Sequence, residues 1–270
     1  MHPITILSDL HVGHPFSILR RPEQIAPLLP RDATVVFNGD SVEMRSRLDR
    51  DTGQARREQL RELCEARGSR AIFLTGNHDP LVSDLHHIDL CDGKVLVTHG
   101  DILFHECSPW SHEGPHIGEE HTRLLGTLAE HERKDLTIRL RIAKEATRIT
   151  EKIYTAEQSF LSVLRNLVME LIPPWRPLRI LGFWRQAPGL AAAIAREFRP
   201  EARFMIVGHL HHAGVWEVDG RTIINTGSFF PFPGRRMVEI RDGRIEVRKI
   251  RGYLGDFHPG RVVYSAPLER

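Results

Sequence analysis

The sequence predicts an α/β fold built in layers, and three observations predict it. Short apolar runs alternate with polar, helix-like stretches through the first hundred residues. From Gly118 to Ile172 there is no proline, and apolar residues recur at helical spacing. After residue 203 short apolar runs return, and two Asp-Gly pairs between them are hairpin signals.

The elements follow in order. Pro3 to Ser8 reads as a buried strand ending at Asp9, and Ala33 to Phe37 as the next, ending at Asn38-Gly39-Asp40. Asp51 to Arg67 is charged, with Leu60, Leu63 and Cys64 on one face, and reads as a surface helix. Ala71 to Leu74 ends at Gly76-Asn77-His78-Asp79, and Lys94 to Thr98 ends at His99-Gly100-Asp101. Between 118 and 172 the apolar positions Leu124, Leu125, Leu128, Ile149, Ile153, Phe160, Leu161, Leu164, Leu167, Val168 and Leu171 predict two or three long helices, stopped by Pro173-Pro174. Pro188 to Arg199 reads as a further short helix. Arg203 to Val207 is a strand before Gly208-His209-Leu210-His211. Strands at 215–218, 222–225, 237–240 and 245–250 follow, with turns at Asp219-Gly220 and Asp242-Gly243. The boundaries expected are a core of 1–117 and 200–270 and a helical insertion of 118–199.

With 270 residues, 41% of them apolar, the chain can bury a sizeable core. A formal net charge of +2 gives no overall reason to expect nucleic acid or a membrane. Cys64, Cys91 and Cys107 are odd in number and share no CxxC spacing, so reduced thiols are expected. The start MHPITILSDLH lacks a basic region followed by an apolar one, and no run of about 18 apolar residues occurs. The expected compartment is the cytoplasm.

Five strands end in loops that carry Asp9-Leu10-His11, Gly39-Asp40, Gly76-Asn77-His78-Asp79, His99-Gly100-Asp101 and Gly208-His209-Leu210-His211. In open α/β sheets, loops beyond the carboxyl ends of strands build the binding crevice, so these converge. Oxygen and imidazole donors without thiolate suit Mn, Fe, Zn or Co, with Mn favoured. Asp9, His11, Asp40, Asn77, His99, His209 and His211 are seven donor residues, more than one four-coordinate ion needs, and point to two ions sharing a carboxylate. Alternate residues of an extended DxH or HxH unit project to the same side. Glycines 39, 76, 100 and 208 are expected to let the backbone turn beside the ions.

The set DxH, GD, GNHD, H and GHxH resembles the calcineurin-like metallophosphoesterase family over residues 4 to 112 and about 203 to 230. The resemblance implies a four-layer αββα sandwich of two mixed sheets, with the helical insertion outside it. It implies one metal on Asp9, His11, Asp40 and His211, and a second on Asp40, Asn77, His99 and His209, with Asp40 bridging. Asn225-Thr226-Gly227-Ser228 is similar to the family's NPGS turn, with threonine for proline.

Two ions about 3.5–4 Å apart clamp a phosphoryl group and bring a bridging water towards hydroxide at neutral pH. By the same resemblance His78 stabilises the transition state or protonates the leaving oxygen. Asp79 is placed to orient the His78 ring and favour the imidazolium; the alternative is a turn residue that caps the next segment. Asp101 either braces a ligand histidine or serves its own turn.

The segment after Asp40, SVEMR, lacks the DRG ending of Ser/Thr protein phosphatases, and no ligand is missing, as it would be in a non-catalytic, retromer-type scaffold. No heptad run or basic stripe supports a nuclease, so nucleic acid is not an expected partner. An insertion after the HGD motif is similar to the UDP-2,3-diacylglucosamine hydrolases, whose inserted helices receive acyl chains; His78 stands where that group has arginine. The expected substrate is a phosphorylated small molecule or lipid. Pro173 to Arg199 holds Trp175, Arg176, Arg179, Phe183, Trp184, Arg185, Arg196 and Arg199 against the single acid Glu197. This suits peripheral contact with the inner face of a membrane, or packing of the insertion onto the body with arginines reaching solvent. His105, His112, Trp110, His116 and His121 follow the His99 loop and read as rim residues or solvated loop; His14, His86, His87 and His212 are read without a role.

Overall fold

The structure is a computed structural model that describes residues 2–149 and 176–269. The expected helical positions from Ile153 to Leu171, with Pro173, Pro174 and Trp175, lie outside the described residues. Two mixed sheets form the centre. One has six strands in the order β11-β10-β9-β1-β2-β3. These are β1 (Ile4–Leu7), β2 (Thr34–Asn38), β3 (Arg70–Leu74), β9 (Arg236–Arg241), β10 (Arg244–Arg251) and β11 (His258–Pro267). The other runs β4-β5-β6-β8-β7. Its strands are β4 (His87–Leu90), β5 (Val95–Thr98), β6 (Phe204–Val207), β7 (Gly214–Val218) and β8 (Arg221–Asn225).

Alternation along each strand divides its side chains between two cores. Ile6, Val36, Val95, Val97, Phe204, Ile206, Ile224 and Val238 fill the space between the sheets. Leu7, Val35, Phe37 and Phe73 face outward on the six-stranded sheet, where Leu60 and Cys64 of α1 (Arg50–Glu65) cover them. Leu96, Met205, Val207 and Ile223 face outward on the five-stranded sheet. There they meet Leu136 and Leu140 of α4 (Leu136–Thr147) and Ala187, Ala191, Ala192 and Ala195 of α5 (Arg176–Phe198). The layers are therefore α, β, β, α. Before α4 come α2 (Gly114–Gly126) and the single turn α3 (Glu130–Arg133).

Both Asp-Gly pairs are tight turns with positive φ at each central residue, Asp219 and Gly220 at 50° and 75°, Asp242 and Gly243 at 50° and 69°. Two strands escape the sequence pattern. β4 has four residues and β11 contains Pro259 and Gly260, and both lie at sheet edges, where alternation is weak. The helix expected from Pro188 starts at Arg176 and passes through that proline. Pro188 leaves one helical hydrogen bond unmade. The alanine face against the sheet carries the helix across it.

Of the two readings of the 173–199 segment, membrane contact or packing onto the body, the aromatic contacts of its described part bear on the second. Trp184 faces the body: its Nε1–H donates to the Leu210 carbonyl at 3.0 Å and its ring stacks on His212 at 4.5 Å. Phe183 packs against Phe104 and Trp110. The exposed apolar residues of α5 are Leu178 and Leu181. No helix among the described residues is long and apolar enough to cross a membrane.

Candidate metal centre

β1, β2 and β3 run parallel in one sheet, and β5, β6 and β8 in the other. Their carboxyl ends bring all five motif loops to one edge of the sandwich. The local backbone is not the extended one expected. Asp9, His11, Asp40, His209 and His211 all have positive φ, between 49° and 65°. Such a conformation costs a non-glycine residue roughly 1–2 kcal/mol. The residues between the ligands offset it: Leu10 and Leu210 turn into the two outer cores, each contributing roughly 1.5–3 kcal/mol by burial. DxH and HxH thus work as two ligands around an apolar anchor.

Of the four glycines, Gly39 and Gly100 have the positive φ expected. Gly76 and Gly208 do not. They are small because a side chain there would strike the carboxylates of Asp40 and Asp9.

The seven predicted donors meet in two groups. Asp9 Oδ1 lies 3.3 Å from His211 Nε2, which lies 3.2 Å from His11 Nε2. Asn77 Oδ1 lies 3.2 Å from His99 Nε2 and 2.9 Å from His209 Nδ1. Asp40 Oδ2 stands between, 3.7 Å from His11 Nε2 and 3.4 Å from His99 Nε2. Asp9, His11, Asp40, Asn77, His99 and His209 are buried. The side chains of His78 and His211 keep 18% and 25% of their surface, and form the face that a substrate can reach.

The donor chemistry fits cations. His11 Nδ1–H donates to Glu43 Oε1 at 2.9 Å, His99 Nδ1–H to the Asn38 carbonyl at 3.1 Å, and His209 Nε2–H to the Cys107 carbonyl at 2.9 Å. Each ring's other nitrogen therefore turns a lone pair inward, towards oxygens that are also acceptors. Lone pairs facing oxygens at 2.9–3.4 Å repel unless a positive charge lies among them. The side chains alone show the same deficit. Burial opposes charge on His99, yet Asp40 and Asp9 raise it to about 10. Burial, and then the charge of His99, lower His209 to about 4.

The Asp9 carboxylate is fixed by a chain from Thr226 through Ser8, and it accepts the His209 backbone N–H at 3.0 Å. Asn225 donates to the Gly208 carbonyl at 2.8 Å, so the NTGS turn supports both histidine ligands of its loop.

Asp79 does not hold the His78 ring. Its carboxylate accepts backbone N–H groups of Asp40 at 2.9 Å, Ser41 at 2.7 Å and Gly76 at 2.8 Å, and so ties two ligand loops together. Burial and Asp40 push it up to about 7. The residue that does hold His78 is Glu43, missed in the sequence. Its Oε1 accepts from His11 Nδ1 at 2.9 Å, and His78 Nδ1 donates to Oε2 at 2.9 Å with Oε1 at 3.1 Å. Asp101 does not reach a ligand ring either; it pairs with Lys144 of α4, both fully buried. His105 and His121 stack on each other at 4.6 Å, and of that expected rim Trp110 abuts a ligand, 5.7 Å from His209.

The model of the family "Calcineurin-like phosphoesterase" matches residues 2–213. The chain belongs to this family. As a calcineurin-like phosphoesterase it is a metal-dependent phosphoesterase by family, with metal-capable clusters at Asp9, His11 and His211, at His11, Asp40 and His78, and at Asp40, His99 and His209. No curated protein matches the chain. Solved structures similar to this calcineurin-like phosphoesterase include a predicted phosphoesterase from Streptococcus pneumoniae TIGR4, 15% identical, covering 98% of this chain and 97% of that one with a TM-score of 0.42. Vacuolar protein sorting 29 from Cryptosporidium parvum is 11% identical, with 98% of each chain covered and a TM-score of 0.48. Vps29 complexed with Zn²⁺ from Entamoeba histolytica is 14% identical, with 99% of each covered and a TM-score of 0.44.

Proposed function

We propose that the chain is a dinuclear hydrolase of phosphoesters or diphosphates, acting on a phosphorylated small molecule or lipid. The observation that carries this is the pair of donor clusters meeting at Asp40 Oδ2, with the partly exposed His78 beside them. One ion would be held by Asp9, His11, Asp40 and His211, the other by Asp40, Asn77, His99 and His209, with Mn favoured. When bound, such a pair supplies Lewis-acid stabilisation of phosphoryl oxygens and acidifies water.

The chain's own residues do the rest. His78 Nδ1–H is committed to Glu43, so the Nε2 edge is the one left for substrate. Burial and the charge of Arg45 lower His78, and the Glu43 carboxylate works against them in favour of the imidazolium. His78 then donates its Nε2 proton to the leaving oxygen. Asp79 is a positioning residue for the Asp40 and Asn77 loops rather than for His78.

A cleft of about 540 Å³, its open mouth included, adjoins the ligands His209 and His211. Trp110, Ile180, Trp184, Leu210, Phe232 and Pro233 line it. Among the described residues no acid or base but the ligand histidines borders it, which supports an uncharged, apolar or ring-bearing group next to the transferred phosphate. Peripheral membrane contact would rest on Leu178 and Leu181. Sedimentation with anionic vesicles tests it: no binding removes the contact, and binding that survives Leu178→Glu with Leu181→Glu removes these leucines as its basis.

The hydrolase reading is tested with p-nitrophenyl phosphate and bis(p-nitrophenyl) phosphate in Mn²⁺, before and after chelation. Hydrolysis that chelation abolishes and Mn²⁺ restores is expected. No turnover of either ester would leave a metal-binding scaffold, and strong preference for the diester would favour a phosphodiesterase.

A further inference from the structure

The other shoulder of the site, on the His11–His78 side, is built differently from the apolar cleft. There α1 crosses the ligand loops. Gly53 lies so close to the Glu43 carbonyl and the Met44 side chain that a larger residue would collide with them. One turn later, Arg56 reaches across to Gly13. Gly13 has φ +105°, which selects glycine there, and its bare Cα lets the guanidinium pack directly against the loop. Gly13 lies between His11 and His14, and the His14 ring stands 5.8 Å from that of His11 and 6.2 Å from that of His78. The Arg56 head is therefore held over the loop that carries one ligand and borders the substrate-facing histidine.

Arg56 is half-buried, and it makes no hydrogen bond or ion pair with any described residue. On the same helix Arg61 pairs with Glu58 and Glu65, and Arg57 lies over the Phe73 ring. Solvent reaches the Arg56 nitrogens, so the five donors of its guanidinium stand open to a ligand. Its fork geometry suits phosphate or carboxylate. Arg45, whose charge acts on both His78 and His14, adds to the positive potential of this shoulder.

We infer that Arg56 is a substrate-binding residue that takes a second anionic group, phosphate or carboxylate, of the molecule whose phosphoester lies at the metal centre. The substrate is then at least a dianionic pair of groups, one hydrolysed and one used as a handle. This rests on the hydrolase reading above, and it sets specificity rather than chemistry.

The test is calorimetric and needs no turnover. Mn²⁺-loaded protein is titrated with ω-phosphonocarboxylates of two to four methylenes and with the alkylphosphonates of matching length. At one length or more, the carboxylate-bearing ligand should bind about 10-fold tighter at low salt. The preference should shrink as salt is raised. Arg56→Gln should bring the ratio to about one, Arg56→Lys should restore part of it, and Arg61→Gln should keep the wild-type ratio. A ratio near one in the wild type at every length, or one that survives Arg56→Gln, overturns the assignment of Arg56. Failure of the alkylphosphonates themselves to bind counts against the hydrolase reading on which it stands.

Discussion

Glu43→Gln is the most informative single change. Glu43 bonds His11 through Oε1 and His78 chiefly through Oε2, each at 2.9 Å, with Oε1 3.1 Å from His78, and 11% of its side chain is exposed. Both ring atoms are N–H donors. Glutamine keeps the shape but offers one oxygen and one NH₂, so one histidine must face a donor. Losing one charge-assisted bond costs roughly 1.5–3 kcal/mol. If that is lost from the transition state, kcat/KM falls roughly 10- to 150-fold. The loss should be larger for phenyl phosphate than for p-nitrophenyl phosphate, because the poorer leaving group needs the His78 proton more. The pH profile has a definite sign. Burial and Arg45 lower His78, and Glu43 raises it. Removing the charge lowers it further, so the imidazolium is lost sooner and the alkaline limb moves to lower pH. Equal losses on both esters, with an unmoved alkaline limb, would refute the proton-donor role and leave Glu43 as a support for His11 alone.

Three further outcomes are expected. His78→Ala should retain both metals by elemental analysis while turnover of phenyl phosphate falls by about 10²–10⁴. Asp40→Asn should weaken both ions together in a Mn²⁺ titration, whereas His209→Ala should weaken one and spare the other. Lys144→Met should cost about 3–5 kcal/mol in urea denaturation, because it strands the buried Asp101, and adding Asp101→Leu should recover most of it. Burial works against the Asp101 charge, but Lys144 holds its pKa below 3.8. The pair's stability is therefore present above 3.8 and lost as pH falls through the lower folded value, so the Lys144→Met deficit should narrow in acid.

The ligand loops were legible because each donor set closes a short apolar strand, and parallel strands carry their carboxyl ends to one edge. The backbone that presents the ligands was not. Periodicity describes extended chain, and left-handed turns at Asp9, His11, His209 and His211 carry no periodic signature. Glu43 was missed because its partners lie 32 and 35 residues away, and only the fold brings them together. A lone acid between Val42 and Met44, three residues after the ligand Asp40, was the available signal. Asp79 was given the wrong partner: adjacency to His78 counted for more than the buried N–H groups that its carboxylate satisfies. Lys144 left a trace, since it continues the Leu136–Leu140 stripe at helical spacing, where a lysine needs a buried acid.

The most direct test is a Mn²⁺ titration of the metal-free protein, read by calorimetry and by electron paramagnetic resonance. Two ions per chain are expected, magnetically coupled through a shared carboxylate, with release of protons from the histidine cluster and hydrolytic activity complete at the second equivalent. Saturation at one ion, or two uncoupled ions whose occupancy does not track turnover, would contradict a centre bridged by Asp40.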